Sequence, residues 1–333
     1  MMTTIGPVRQ TPPHARRRRP VLAVGACALV LGATGTGCAR VEVGAQPTAA
    51  PMVLEQPSRA TDSPAAGTAP APSTAPPRTA VAGPSGPAFT HPLATRSTYF
   101  PLVPGMRFSW EGTVTDAEGT HHHQVVTVVT DLVKKVDGVD ARVILDEDYN
   151  DGVLGEAELA LFSQDDAGNV WTRGEYPEEY EDGAFQGAPS TWITGERAAR
   201  AGILVPGRPA LGTPPFVQGR APAVGFYDVG QVVATGLRVC APTGCYSGVV
   251  KIKESAPTAP ADGFQLKYYA PRVGVVRIDA DGGDAREVMV LKSLRRLGAR
   301  DLQAARETAL RLDRHAYQVN KDYRATGPAH VVP

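Results

Sequence analysis

The sequence predicts a mainly β protein: an antiparallel meander, forming a curved sheet or half-barrel, with one C-terminal amphipathic helix. Three observations predict it. Aromatic and β-branched residues alternate in short runs from about Ser97 onward. Turn-forming residues separate these runs at short intervals, as in antiparallel sheets. No run is followed by the helix-length spacing that a parallel crossover needs.

The strands read in order. Met106 to Trp110 alternates apolar and polar side chains, and His123 to Thr130 is rich in Val and Thr. Ala141 to Leu145 follows through Asp137-Gly138, a dipeptide that favours tight hairpins because both residues accept positive φ. Glu156 to Phe162 and Val170 to Glu175 flank Asp165-Asp166-Ala167-Gly168-Asn169, a second strand-turn-strand signature. Later runs cover Val229 to Val239, Tyr246 to Lys253, Phe264 to Ala270, Gly274 to Asp279 and Arg286 to Leu294. Between Gly183 and Tyr227 the alternation fails, and the segment reads as a long loop, a lid or a pocket lining. Leu302, Ala305, Ala309 and Leu312 recur at three- and four-residue steps, the period of a helix with one apolar stripe. Nine basic and four acidic residues lie between Lys292 and Arg324, so that helix packs on the acidic body or docks on an anionic lipid or wall polymer.

The N-terminus carries an address. Arg16 to Arg19 precede an apolar run from Pro20 to Leu31, then small residues lead to Cys38. A charged start, a short apolar stretch and a small-residue end are the parts of a signal peptide. The run is shorter than the ~20 residues a spanning helix requires. Gly35-Thr36-Gly37-Cys38 resembles a lipobox, with Cys38 as the lipidated residue, although Gly35 stands where Leu is usual. Ordinary cleavage after Ala45 is the alternative, and gives a secreted product. The expected order is therefore a signal peptide over 1–37, a disordered Pro/Ala/Thr-rich tether over 38–95 and a β body over 96–298. The helix over 299–318 and a disordered tail over 319–333 complete it. Such a tether lacks the apolar surface to offset its ordering entropy. Stretched at about 3 Å per residue, it reaches roughly 100 Å or more.

Formal charge sums to zero, but the first 37 residues hold five Arg and no acid. The remainder has 29 basic against 34 acidic residues, a net of −5. That balance argues against a nucleic-acid partner, which requires a basic face to neutralise phosphates. Cys240 and Cys245 are separated by Ala-Pro-Thr-Gly, a turn that brings two cysteines within disulfide range, and an exported compartment preserves the bond.

Candidate sites are weighed by chemistry. Trp110, Trp171, Trp192, Tyr227 and Tyr268 could line a pocket for an apolar or glycan ligand, or equally supply a core. Glu156, Asp165 and Glu175 fall on neighbouring predicted strands and are a candidate acidic cluster for acid/base chemistry. His121-His122-His123 lacks a third ligand segment. Asp146 to Gly152 misses the calcium-loop spacing, with Ala157 where a bidentate Glu belongs. No metal or cofactor is expected, and no nucleophile motif is present in the body.

Three motifs carry a resemblance. Tyr99-Phe-Pro-Leu-Val-Pro-Gly105, Gln164-Asp-Asp-Ala-Gly-Asn-Val-Trp171 and Lys267-Tyr-Tyr-Ala-Pro-Arg-Val-Gly274 follow one another in an order similar to that of bacterial secreted or lipid-anchored proteins of unknown function. Arg272 and the Cys240/Cys245 pair depart from that pattern. The resemblance covers Tyr99 to Leu294 and implies a β fold and an envelope address, but no catalytic residue. The sequence thus leads to an exported lipoprotein, at the outer face of the cytoplasmic membrane, that binds or carries a ligand. An envelope interaction module without a ligand and a carboxylate-dependent hydrolase are the alternatives.

Overall fold

The computed structural model describes residues 86–332. The predicted signal peptide, Cys38 and most of the predicted tether lie outside the described residues.

Fifteen strands and one long helix make up the body. The strands are β1 (Met106–Asp116), β2 (Gly119–Val136), β3 (Val139–Asn150), β4 (Val153–Gln164), β5 (Val170–Glu181), β6 (Ala184–Gly187), β7 (Trp192–Ile193), β8 (Arg200–Val205), β9 (Phe216–Ala221), β10 (Phe226–Ala241), β11 (Gly244–Ser255), β12 (Phe264–Ala270), β13 (Gly274–Asp281), β14 (Arg286–Arg296) and β15 (His330–Val331). Helix α1 spans Ala299–Val319. The sheet order β1-β14-β13-β12-β11-β10-β9-β8-β5-β4-β3-β2 returns to β1, because β1 pairs with both β14 and β2. Twelve strands therefore close into an antiparallel barrel, which leaves no free edge in the ring.

Local chemistry explains the hairpins. Asp137-Gly138, Asp151-Gly152 and Asp182-Gly183 all carry positive φ at both residues, the geometry that two-residue hairpin loops demand. Cys240 pairs across β10 and β11 with Cys245, and the two form the expected disulfide with Cα atoms 4.0 Å apart.

Two large apolar clusters form, one on each face of the sheet, and a third, smaller one gathers Trp192, Ala199, Ala221 and Phe226. Inside the barrel, Trp110, Val125, Val129, Ile144, Phe162, Ile278, Met289 and Leu291 fill one half. Leu102, with Tyr99 and Phe100 beside it, packs against this filling and closes that end. Outside, Leu132, Val143, Leu145, Leu159, Leu161 and Tyr176 receive Ala309, Leu312 and Ala316 of α1. One strand alternates between the two sets, as Leu159 and Leu161 outside and Ala160 and Phe162 inside show for β4. The helix is pinned as well as packed. Lys134, fully buried, donates to Asp313 Oδ1 at 2.6 Å, Tyr317 OH at 2.8 Å and the Gly327 carbonyl at 2.7 Å.

Three expectations change. The stretch from Gly183 to Tyr227 contains β6 to β9, two of which complete the ring. Its strands are short, and Gly202 of β8 and Gly219 of β9 lie so close to neighbouring atoms that a Cβ would stand 2.4 and 2.5 Å from them. Residues 319–333 were expected to be disordered, yet Tyr323 is fully buried against Tyr176 and β15 pairs with β2. The ordered body also begins before residue 96. Thr90 donates from N and Oγ1 to Asp166 Oδ1, and Gln164 N donates to the Pro92 carbonyl, so residues 86–98 form a strap over the β4–β5 turn.

Candidate functional site

The interior half of the barrel away from the strap is polar, and strand alternation makes it so. On β3, Ile144 faces the apolar filling, and the next inward positions are Asp146 and Asp148. On β4, Ala160 and Phe162 face the filling, and the inward positions toward the other end are Glu158 and Glu156. Register sets these acids against each other: Asp146 opposes Glu158, and Asp148 opposes Glu156. Glu175 joins them from β5, Asp228 from β10, Glu254 from β11 and Glu287 from β14. All eight carboxylates are buried, none more than 7% exposed. Like charges opposed across a strand pair are destabilising, so this arrangement costs stability wherever both partners ionise.

Two cations enter the web. Lys267 on β12 holds Glu254 Oε2 at 2.8 Å. Glu254 Oε1 also accepts from Gln218 Nε2 at 3.0 Å and Tyr269 OH at 3.1 Å. His123 lies between Asp148 (Nε2–Oδ1 2.7 Å) and Glu287 (Nδ1–Oε1 3.0 Å). Burial opposes the imidazolium, but hydrogen bonds and charge from both carboxylates outweigh it and raise the His123 pKa to about 10.

The acids as a set are undercompensated. Burial, the main cause in each case, raises Asp148 to about 6, Asp146 to about 7 and Glu175 to about 8. It also pushes Glu156, Glu158 and Asp228 well above the carboxylate range, helped by neighbouring negative charge. The hydrogen bonds from Thr127 to Asp146 and from Trp192 to Glu175 work the other way. Asp146 Oδ2, Asp148 Oδ2, Glu158 Oε1 and Glu175 Oε1 have no hydrogen-bond partner, although all four residues are at least 98% buried. Buried polar groups are normally paired, so these four oxygens mark an unfilled requirement. Such a web can hold protons, or it can receive a cation. Among the described residues, no three His, Cys, Asp or Glu side chains are arranged around one metal-sized point.

The sequence-predicted residues are distributed as follows. Glu156 and Glu175 belong to the interior web. Asp165 does not: it sits in the β4–β5 turn near the strap, accepting from Asn169 N, Asn169 Nδ2 and Trp171 Nε1 at 2.7–2.8 Å. The five aromatic residues form no common wall. Trp110 stacks on Phe108 in the apolar filling and donates to the Val275 carbonyl. Trp171 meets Phe89 of the strap edge-on. Trp192 stacks on Phe226 and donates to Glu175 at 3.0 Å. That approach needs Gly219, where a Cβ would stand 2.5 Å from Phe226 and 3.2 Å from Trp192. Tyr227 lies beneath Arg220, and Tyr268 beneath Lys251 and Arg277. A half-open cavity of about 420 Å³ lies between the strap and the β4–β5 turn, lined by Thr90, His91, Arg96, Gln164 and Asp166 among others. Strap hydrogen bonds already occupy Gln164 and Asp166.

Of the His121–His123 run, His123 alone is fully buried, while His121 lies 3.1 Å from Asp151 at the barrel rim. Asp146 and Asp148, read as part of a failed calcium loop, are strand residues pointing inward. Their two-residue spacing was the available signal. Asp228, Glu254 and Glu287 gave none, because each is the single acid of its strand.

The structure is that of a closed antiparallel barrel with one external helix. No family model and no curated protein matches the chain. Two solved structures are similar to it. One is a candidate exported protein with a YmcC-like fold from Bacteroides fragilis NCTC 9343, at 14% identity and a TM-score of 0.33, covering 60% of this chain and 100% of that chain. The other is a candidate lipoprotein from Parabacteroides distasonis ATCC 8503, at 14% identity and a TM-score of 0.30, covering 60% of this chain and 99% of that chain. At these scores no functional conclusion rests on the likeness.

Proposed function

We propose that this chain is an exported cell-envelope protein, lipid-anchored through Cys38 at the outer face of the cytoplasmic membrane. Its barrel is a binding module for a ligand bearing ammonium groups. The Arg-rich start, short apolar run and Gly35-Thr-Gly-Cys38 support the address, and the motif resemblance to secreted and lipid-anchored proteins agrees with it. One observation carries the ligand reading: eight buried carboxylates with two cationic partners, and four carboxylate oxygens left without a hydrogen bond or an ion pair.

The chemistry favours an alkylammonium over an apolar or glycan ligand. The aromatic residues that would hold the latter are spread over separate parts of the body. Lys267 already shows a primary ammonium accepted by the web. The acids are spread over six strands with no metal-sized focus, which suits a ligand with several separated positive groups. A hydrolase using Glu156 and Glu175 keeps those two residues and loses Asp165.

Native mass spectrometry of the protein purified from its own host tests this. A reproducible extra mass that leaves on denaturation, and that Glu158→Gln with Glu175→Gln abolishes, is expected. A clean apo mass across preparations would overturn the binding reading and favour an interaction module.

A further inference from the structure

We propose that the arginine-rich flank formed by the end of β14 and the start of α1 docks on an anionic phospholipid bilayer. This goes beyond the ligand reading and does not depend on it.

The body as a whole repels such a surface. Residues 38–85 contain three Arg and three acids, so the excess of five acids beyond residue 37 belongs to residues 86–333. Cations are nevertheless concentrated on one flank. Arg295 and Arg296 end β14, Arg300 lies in the first turn of α1, and all three are exposed. Arg107 stands directly opposite Arg295 across the β1–β14 pair, with Met106 opposite Arg296. Two guanidinium groups in that register cost stability. The crowding is visible in Arg107, whose pKa is lowered first by burial and then by Arg295. Arg272 adds an exposed cation at the same end of the barrel, in the β12–β13 turn.

The acids nearby do not cancel this. Asp301 holds Arg295 at 3.3 Å and Glu111 holds Lys292 at 3.4 Å, while Glu147 acts on Arg107. Arg272, Arg296 and Arg300 form no ion pair among the described residues. A fixed cluster of arginines without acidic partners suits a surface of phosphate groups, since guanidinium pairs with phosphate in a bidentate manner.

The position of the flank selects the bilayer. The Leu297 amide donates to the Gly105 carbonyl, and the Arg272 amide to the Thr98 carbonyl. Thr98 ends the strap, and Gly105 lies on the segment that continues directly from it. The flank therefore lies at the same end of the barrel as the strap, where the chain, coming from Cys38 some 48 positions before residue 86, enters the body over the β4–β5 turn. A tether confines its load to an effective concentration near the millimolar range, so a weak surface affinity is enough. The carboxylate-lined half lies at the other end of the barrel, and docking would turn it away from the membrane.

Vesicle partitioning tests the proposal. The probe protein is the chain from residue 38 carrying Cys38→Ser, so no acyl chain contributes and the outcome is independent of lipidation. Vesicles of equal parts phosphatidylglycerol and phosphatidylcholine are compared with phosphatidylcholine alone. The expected result is preferential binding to the anionic vesicles, lost near 1 M salt, where the Debye length is about 3 Å. Arg296→Glu with Arg300→Glu should weaken it at least about tenfold. Arg286→Glu, at the opposite end, should leave it within about twofold. Unchanged far-ultraviolet circular dichroism confirms that the exposed substitutions leave the fold intact. Equal binding to both vesicle types, or equal losses for the two variants, would overturn the proposal. So would soluble polyphosphate binding the flank as tightly as the vesicles do.

Discussion

Lys267 and Glu254 form an ion pair at 2.8 Å inside the barrel, with side chains only 1% and 3% exposed. The lysine also lowers Glu175 and Asp228 by its charge. Replacing Lys267 by Met removes that ammonium and leaves buried carboxylates without it. A loss of about 3–5 kcal/mol is expected at neutral pH, the usual cost of breaking one side of a buried pair. Urea unfolding checks this, and the loss should shrink at pH 5, where Asp146 and Glu175 are already protonated.

The web also sets the pH dependence. Asp148, Asp146 and Glu175 have folded pKa values raised to about 6, 7 and 8. Between the ordinary carboxylate range and those values, the folded state holds protons that the unfolded state has released. Stability is therefore fully present at low pH and falls as pH rises through about 6 to 8. His123, raised to about 10, acts in the same direction: its contribution is complete below its ordinary value of 6.5 and is lost as pH passes its folded value. Thermal melting should thus give a higher Tm at pH 5 than at pH 8, with a slope of up to about 1.4 kcal/mol per pH unit for each proton involved. Glu158→Gln, which removes an ionisable carboxyl opposite Asp146, should raise the Tm at pH 8 and change it little at pH 5. A Tm that climbs from pH 5 to pH 8 would contradict the assignment.

Helix α1 depends on Asp313. It accepts from Lys134 at 2.6 Å and Tyr323 OH at 2.8 Å, and the Ala329 amide reaches its second oxygen at 3.2 Å. Burial lowers the Lys134 pKa, and Asp313 opposes that effect. Asp313→Ala should cost about 3–5 kcal/mol, because Lys134 is left as an unpaired buried charge. Hydrogen exchange should then show early opening of residues 299–332 while the β10–β14 amides stay protected.

The Cys240–Cys245 bond closes a six-residue loop at the end of one long hairpin. Replacing both by Ser should cost only about 2 kcal/mol, since the entropy removed by so short a loop is small. The barrel should remain folded under reducing conditions, with the β10–β11 tip exchanging faster.

Much of this fold was legible because strand alternation and hairpin turns are local. Asp137-Gly138 and the Val-rich β2 announce themselves within a few residues. Closure was not legible, because it depends on β1 pairing with β14, about 180 positions away. The short strands β6 to β9 lack a pattern of their own and are held by neighbours. Tyr323 gave no sign that it would be buried against Tyr176. For the site, Glu156 and Glu175 were readable as acids on adjacent strands. The identity of their companions was not, since Asp228, Glu254 and Glu287 meet them only once the barrel closes.

The most direct test of the central claim is calorimetric titration of the protein with spermidine at pH 8, alongside the Glu158→Gln/Glu175→Gln variant. Saturable binding that weakens toward pH 5 and disappears in the variant is the predicted result. No binding heat, or the same heat in both proteins, would contradict the reading of the carboxylate web as a receptor for ammonium groups.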